Sequence, residues 1–274
     1  MTIIFKAQTP EGYAMKLLSE LLQNNLRDAC FEIDAKGVSL RMNDTHDTIC
    51  VDLYLNGAKM QKYIYKHSKP KMLVGISLIH FHKMLKTVKK KDSIMLFIDD
   101  ENPTELCIQV IPKENTRVTT SRIKIHNPQQ IQIEDIPQGY DNPINVPSAE
   151  YQKMIKELNS LNTPNNNSVI SVSAKGFQIK FSCDASGVFS RSVVLGEQEQ
   201  DDEDIVEYEA DFDADKLSRI TKIAGLSTNM QIYTKKKLPM LFVSSVGSFG
   251  EISVYIKTKE NIDDESDNSD SDDN

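Results

Sequence analysis

The feature of this 274-residue chain that most limits its fold is that its second half repeats its first. Residues 35–42, AKGVSLRM, match 174–181, AKGFQIKF. Both run Ala-Lys-Gly and then apolar, polar, apolar, basic, apolar: a tight turn at glycine leading into a half-buried strand. Upstream, KLLSEL (16–21) matches KMIKEL (153–158); downstream, HKMLK (82–86) matches SRITK (218–222). The offsets of 139, 137 and 136 residues are nearly constant and keep their order. One short match would carry little, but three in register imply a duplicated unit of about 137 residues. The length suits two domains of that size.

Each half follows the order helix, strands, helix, strands. Hydrophobic periodicity predicts helices over about 10–24, 77–88, 147–159 and 213–224. Pro10 and Pro147 fall at helix starts, where a missing N–H costs little. Strand alternation runs through Ser93–Ile98, Glu105–Val110, Arg117–Ile125, Met230–Tyr233, Pro239–Val243 and Glu251–Ile256. Between the halves, residues 126–147 hold four prolines and only the alternation Ile131, Ile133, which predicts an ordered connector. The fold class expected is α+β, rich in strands.

The net charge of −8 hides an asymmetry. The tail 260–274 and the stretch 197–209 each carry eight acids and no base; without them, 24 acids face 32 bases. The tail, rich in Asp, Ser and Asn, is expected to be disordered, because it has too little apolar surface to offset ordering entropy.

The bases of the remainder fall on helix faces. At 100° per residue, Leu78, Phe81, Leu85 and Val88 lie within about 80° of one another, with Lys83 and Lys86 opposite. Tyr151, Met154, Ile155 and Leu158 form a second apolar face opposite Lys153 and Lys156. Leu217, Ile220 and Ala224 form a third opposite Arg219 and Lys222. Lys16 lies opposite Leu17, Leu18, Leu21 and Leu22. On one helix such a pair is ordinary solvated surface. On four helices of a net acidic chain it suits a polyanion contacted through phosphates. No aromatic residues interleave these bases, so a duplex backbone fits better than unstacked bases. Lys89–Lys91 and Lys235–Lys237 are expected in solvated turns.

Catalytic chemistry is not visible. The four cysteines are widely spaced with no CxxC pair, which argues for reduced thiols rather than zinc or redox sites. No glycine-rich phosphate loop occurs. Asp44-Thr45-His46-Asp47 fits a polar turn, and His80 and His82 diverge by about 200° on a helix. The acidic stretch 197–209 matches no calcium loop. Neither a cofactor nor a metal is expected. No apolar run approaches the roughly 18 residues of a membrane span, and the first residues lack the apolar stretch of a signal peptide.

Taken in order, these segments resemble the DNA sliding clamp of eukaryotes and archaea, the proliferating cell nuclear antigen (PCNA) family, as a divergent member. The resemblance spans about residues 3–257. It rests on Leu26–Ile33 running into Lys36-Gly37-Val38-Ser39-Leu40 and Asp44. It rests also on Gly75–Leu78 through Lys83–Lys86, on Ile136-Pro137 with Tyr140, on Pro147-Ser148, and on Pro239-Met240-Leu241 before the strand ending at Tyr255. It implies two clamp domains, 1–122 and 141–259, an inter-domain connector, 123–140, and the acidic tail, 260–274. It implies a homotrimeric ring with strands outside and helices lining a channel around double-stranded DNA. The family's channel bases fall on Lys16, Lys83, Lys86, Lys153, Lys156, Arg219 and Lys222. The acidic stretch and tail would then lie outside, discouraging DNA from wrapping the ring.

The resemblance further implies a groove that takes a short peptide from a DNA polymerase, a clamp loader or other replication and repair proteins. Its positions are Met42, Asn43, Asp44, Asp47, Thr48, Ile131, Ile133, Ile136, Pro137, Pro239, Tyr255, Lys257 and Thr258. At Asn43, Asp47, Thr48 and Lys257-Thr258 this chain is more polar than the family's pattern. The family's regulatory lysine falls on Ala174, beside Lys175. The trimer interface would pair Arg117–Ile125 with about 187–195. The implied location is the nucleus, or the replication site of a large DNA virus. Two alternatives remain: a subunit of a heteromeric or checkpoint-type ring, and an enzyme on a duplicated α+β fold.

Overall fold

The computed structural model describes residues 3–114, 117–126, 136–160, 169–185, 189–197 and 208–263. The chain forms two compact units. The first comprises Met1–Thr45, Val51–Ile133 and Ser245–Ile252; the second comprises His46–Cys50, Glu134–Ser244 and Ser253–Asn274.

Chain order in the first half is β1 (Ile3–Thr9), α1 (Gly12–Asn25), β2 (Asp28–Asp34), β3 (Gly37–Asn43), β4 (Ile49–Asn56), β5 (Lys62–Tyr65), β6 (Lys71–Ser77), α2 (Leu78–Leu85), β7 (Ser93–Asp99), β8 (Glu105–Ile111) and β9 (Thr119–Lys124). In the second half it is β10 (Ile144–Pro147), α3 (Ser148–Asn159), β11 (Val169–Lys175), β12 (Gln178–Ala185), β13 (Phe189–Gly196), β14 (Tyr208–Asp213), α4 (Ala214–Arg219), β15 (Asn229–Tyr233), β16 (Met240–Val246) and β17 (Gly250–Ile256). The duplication is visible in strand order. The run β6-β2-β3-β4 in one half corresponds to β14-β11-β12-β13 in the other, and β1-β7-β8-β9 corresponds to β10-β15-β16-β17. Strand β5, which pairs with β1 from Phe5↔Tyr65 to Gln8↔Lys62, has no counterpart among the described residues of the second half.

The helices bury the faces that their periodicity marks. Leu17, Leu18, Leu21 and Leu22 of α1 are buried in the first unit, with Leu78, Phe81, Leu85 and the following Val88. Each such side chain contributes about 1.5–3 kcal/mol by leaving water. In the second unit Tyr151 of α3 is fully buried against Phe181 and Phe242, at ring-centroid distances of 6.1 and 5.6 Å. Its hydroxyl donates to the Leu217 carbonyl at 3.0 Å, and burial raises its pKa well above the ordinary tyrosine value.

The structure corrects the expected helices and tail at four places. Helix α1 begins at Gly12 with Glu11 as its N-cap, and α2 ends at Leu85. The fourth helix stops at Arg219 and continues as a 3₁₀ turn, Thr221–Gly225. Bonds from Ile223 N to Ile220 O (3.0 Å) and from Leu226 N to Ile223 O (2.9 Å) impose a three-residue period. That period buries Ile220, Ile223 and Leu226 rather than Ala224. Finally, residues 259–263, at the start of the expected unstructured tail, form a helical turn. Thr258 Oγ1 accepts from Asn261 N (3.0 Å), and Asn261 Nδ2 donates to the Lys237 carbonyl (3.2 Å). The rest of the tail, 264–274, and residues 198–207 lie outside the described residues. Among the described residues all four cysteines are free and no helix is long and apolar enough to cross a membrane.

Candidate nucleic-acid interface and peptide-docking residues

In the first unit α1 and α2 pack together, and Ser19, fully buried on α1, lies 3.1 Å from His82 Nδ1 on α2. The packing leaves Lys83 and Lys86 exposed. Lys16 is half-buried. Its ammonium donates to the Val88 carbonyl at 3.4 Å, just past the C-terminal end of α2, and sits 5.5 Å from the centre of the Tyr13 ring. A cation there is favoured by the partial negative charge of a helix C-terminus. Tyr13 is also the aromatic partner that the sequence did not place among the helix bases.

In the second unit Lys153 and Lys156 project from α3 and are exposed. Arg219 is not a free cation. Its Nε and Nη2 donate to Asp215 Oδ2 at 3.0 and 2.7 Å, one helical turn back. Lys222 is half-buried on the 3₁₀ turn, so it does not continue the α-helical spacing expected after Arg219. The lysines of α2 and α3 therefore fit a diffuse phosphate contact better than the Arg219–Lys222 pair does.

The expected groove residues divide between the units. In the first, Met42 and Asn43 end β3, Met42 Sδ accepts from the Cys30 N–H at 3.2 Å, and Asp44 is buried in the turn that follows. In the second, Lys257 N donates to the buried Thr48's carbonyl at 3.0 Å, and Lys257 Nζ pairs with Asp47 at 3.1 Å. Asp47 adopts a left-handed φ of 56°, tolerated because aspartate is among the residues enriched there. Ile136 and Pro137 are half-buried; Ile131 and Ile133 lie outside the described residues. Tyr140, which the sequence marked only as part of the connector, donates its hydroxyl to the Pro239 carbonyl at 2.8 Å. Its ring stands 6.2 Å from Tyr233 and 6.4 Å from Tyr255. Burial, then the neighbouring Tyr255, holds the Tyr140 hydroxyl well above the ordinary tyrosine pKa. Tyr233 was missed because one aromatic at a strand end carries no sequence signal of its own.

Two domain models cover nearly all of the described chain in succession. Residues 4–132 match the proliferating cell nuclear antigen N-terminal domain, and residues 132–259 match its C-terminal domain. The chain belongs to the PCNA family. Among curated relatives it is 23% identical over 263 residues to a "Probable DNA polymerase sliding clamp 1" of Paramecium bursaria Chlorella virus 1, covering 93% of this chain and 96% of the relative. It is 25% identical over 266 residues to the "Proliferating cell nuclear antigen" of Dictyostelium discoideum, covering 93% and 99%. Among solved structures it matches the PCNA of Entamoeba histolytica with a TM-score of 0.79 at 17% identity, over 94% of this chain and all of that one. The fold thus matches over nearly the whole chain although identity is low.

Proposed function

We propose that this chain is a DNA sliding clamp, a non-catalytic, ring-forming processivity factor that encircles duplex DNA and tethers a DNA polymerase and other replication and repair proteins. The observation that carries this is the succession of two PCNA domains over residues 4–259. The exposed Lys83, Lys86, Lys153 and Lys156 support a channel role. Point charges on flexible stems attract phosphates without reading bases, so the ring holds DNA and still slides. Lys16, Arg219 and Lys222 complete the set, Arg219 with its charge partly held by Asp215. The peptide-docking role rests on the expected groove residues, with Tyr140 added in the second unit.

A homotrimer is the assembly we favour. In the first unit β9 is the last strand of its sheet, and in the second β13 is the last of its own. Val118, Phe189 and Val194 on or beside these edges are large apolar side chains left exposed. Unpaired edges with exposed apolar residues favour strand addition from another copy. A clamp loader would open such a ring, and the site of action would be the nucleus or a viral replication site.

Light scattering of the purified chain tests the assembly, with an expected mass near three times the 31.0 kDa protomer. A mass near one protomer would put a heteromeric ring first. The charge-reversed Lys83→Glu/Lys86→Glu protein should keep its circular dichroism and lose processive synthesis with a polymerase; undiminished processivity would remove these lysines from the DNA contact.

A further inference from the structure

Between Asp52 and Asp92 the sequence holds ten lysines and no acidic residue. Only Lys83 and Lys86 of these belong to the helix faces already described. Lys59, Lys62, Lys66 and Lys69 lie on or beside β5, the strand without a counterpart among the described residues of the second half. With Lys36 in the β2–β3 turn they make five exposed ammonium groups, none of which meets a carboxylate among the described residues. Lys71, next in line, is paired with Glu32 at 2.7 Å. Five unpaired like charges on one unit repel one another, and a polyanion removes that cost by releasing counterions.

Two of these lysines, Lys36 and Lys62, line a groove; Lys59 lies between its lining residues Ala58 and Met60 in sequence, and Lys66 and Lys69 follow β5. Lys36, Lys62, Tyr54, Asn56, Met60 and Tyr63 are among the residues lining an open depression of about 740 Å³. Tyr63 fixes its floor. Its hydroxyl oxygen lies 2.6 Å from both the Asp34 and Gly37 carbonyl oxygens, and its ring closes on Gly57, where a Cβ would come within 2.7 Å. Asp34, at the β2–β3 turn, accepts the backbone N–H groups of Lys36 and Gly37 at 2.7 and 3.0 Å, so part of its charge is already neutralised locally. Above the floor Tyr54 is 44% exposed. Along the strand Tyr65 faces His67 at 6.3 Å and donates to the Lys69 carbonyl at 2.8 Å.

We propose that this groove on the first unit binds single-stranded nucleic acid, with phosphates on Lys36, Lys59, Lys62, Lys66 and Lys69 and a base on the exposed face of Tyr54. The contrast with the helices decides the strand type. Among the described residues Lys83, Lys86, Lys153 and Lys156 have no exposed tyrosine or phenylalanine beside them, as suits a closed duplex; the exposed ring on α2 is that of His80, three residues before Lys83. Here the exposed Lys36 and Lys62 share a groove with the exposed ring of Tyr54, the combination that holds unstacked bases without sequence preference. The surface uses strand and turn residues that the clamp role does not, so the two proposals stand or fall separately.

The test is anisotropy titration of the full chain with a labelled 20-nucleotide oligo(dT) and with a duplex of equal length, across a salt series. Lys59→Gln/Lys62→Gln/Lys66→Gln should lower oligo(dT) affinity at least tenfold at low salt. It should flatten the log-affinity against log-salt slope by about 2, from three lost single-strand contacts. Tyr54→Ser should cost about fivefold or more at every salt concentration, as loss of a stacking platform does. Lys83→Glu/Lys86→Glu should weaken duplex binding and leave oligo(dT) affinity within twofold. All substituted side chains are exposed, so an unchanged melting temperature is expected and excludes misfolding. Oligo(dT) binding that survives the triple substitution overturns the proposal. So does a synthetic 264–274 peptide that binds the groove while oligo(dT) does not, which would make the surface a site for acidic polypeptide.

Discussion

Tyr151 lies at the centre of the second unit's core with its hydroxyl 3.0 Å from the Leu217 carbonyl. Tyr151→Phe keeps the ring and orphans that carbonyl, so it should cost about 1–3 kcal/mol in a urea titration. The same hydroxyl predicts an alkaline limit. Its pKa in the fold is raised by burial, so its contribution is whole below the ordinary value near 10 and declines as pH rises above it. There the unfolded chain loses the proton first, and stability should fall by about 1.4 kcal/mol per pH unit for this group. Denaturation midpoints at pH 9 and 11 should diverge less in Tyr151→Phe than in the parent; an equal divergence would remove Tyr151 as a source. Arg219 illustrates a different residue-scale effect. Asp215→Asn removes the carboxylate charge of the 2.7 Å pair and should steepen the salt dependence of duplex binding by about one charge. An unchanged slope would show that Arg219 does not face DNA.

At the scale of elements, the 3₁₀ turn after α4 makes the sharpest test. Ile223→Ala should cost about 2–5 kcal/mol as a large-to-small change in a filled core, whereas Ala224→Ser should cost less than about 1 kcal/mol. A continuous α-helix through 224 would narrow that gap, and thermal melts of the two variants decide it. The apolar faces of α1, α2 and α3 were legible because a 3.6-residue period is local: Leu78, Phe81 and Leu85, or Tyr151, Met154 and Leu158, declare themselves within a dozen residues. The fourth helix misled because its change of period is imposed by tertiary packing around Ile220 and Ile223, which no window of the chain contains. Strand β5 was missed for a related reason. Lys62–Tyr65 is four residues long, and it exists as a strand because β1 offers it an edge.

For the whole molecule, the sheet edges at β9 and β13 carry the prediction. Val194 is 53% exposed on β13, and Val194→Asp should move the light-scattering mass from three protomers toward one without changing the melt of the protomer. Retention of the larger mass would mean that another surface closes the ring. Deleting 264–274 should leave processive synthesis intact, since the proposed channel charges lie elsewhere; lost clamp activity would contradict that placement. The sequence by itself determined the duplication, the α+β class, the apolar helix faces and the lysines opposite them. These depend on spacing along the chain, and spacing sets the direction of a side chain on a helix or strand. The tertiary structure alone decided the two matching strand orders, the Tyr140–Tyr233–Tyr255 cluster and the grouping of Lys36 and Tyr54 with Lys62 and Tyr63. Each joins residues far apart in sequence, and their proximity follows from which strand edges and apolar faces the folded chain can bury together.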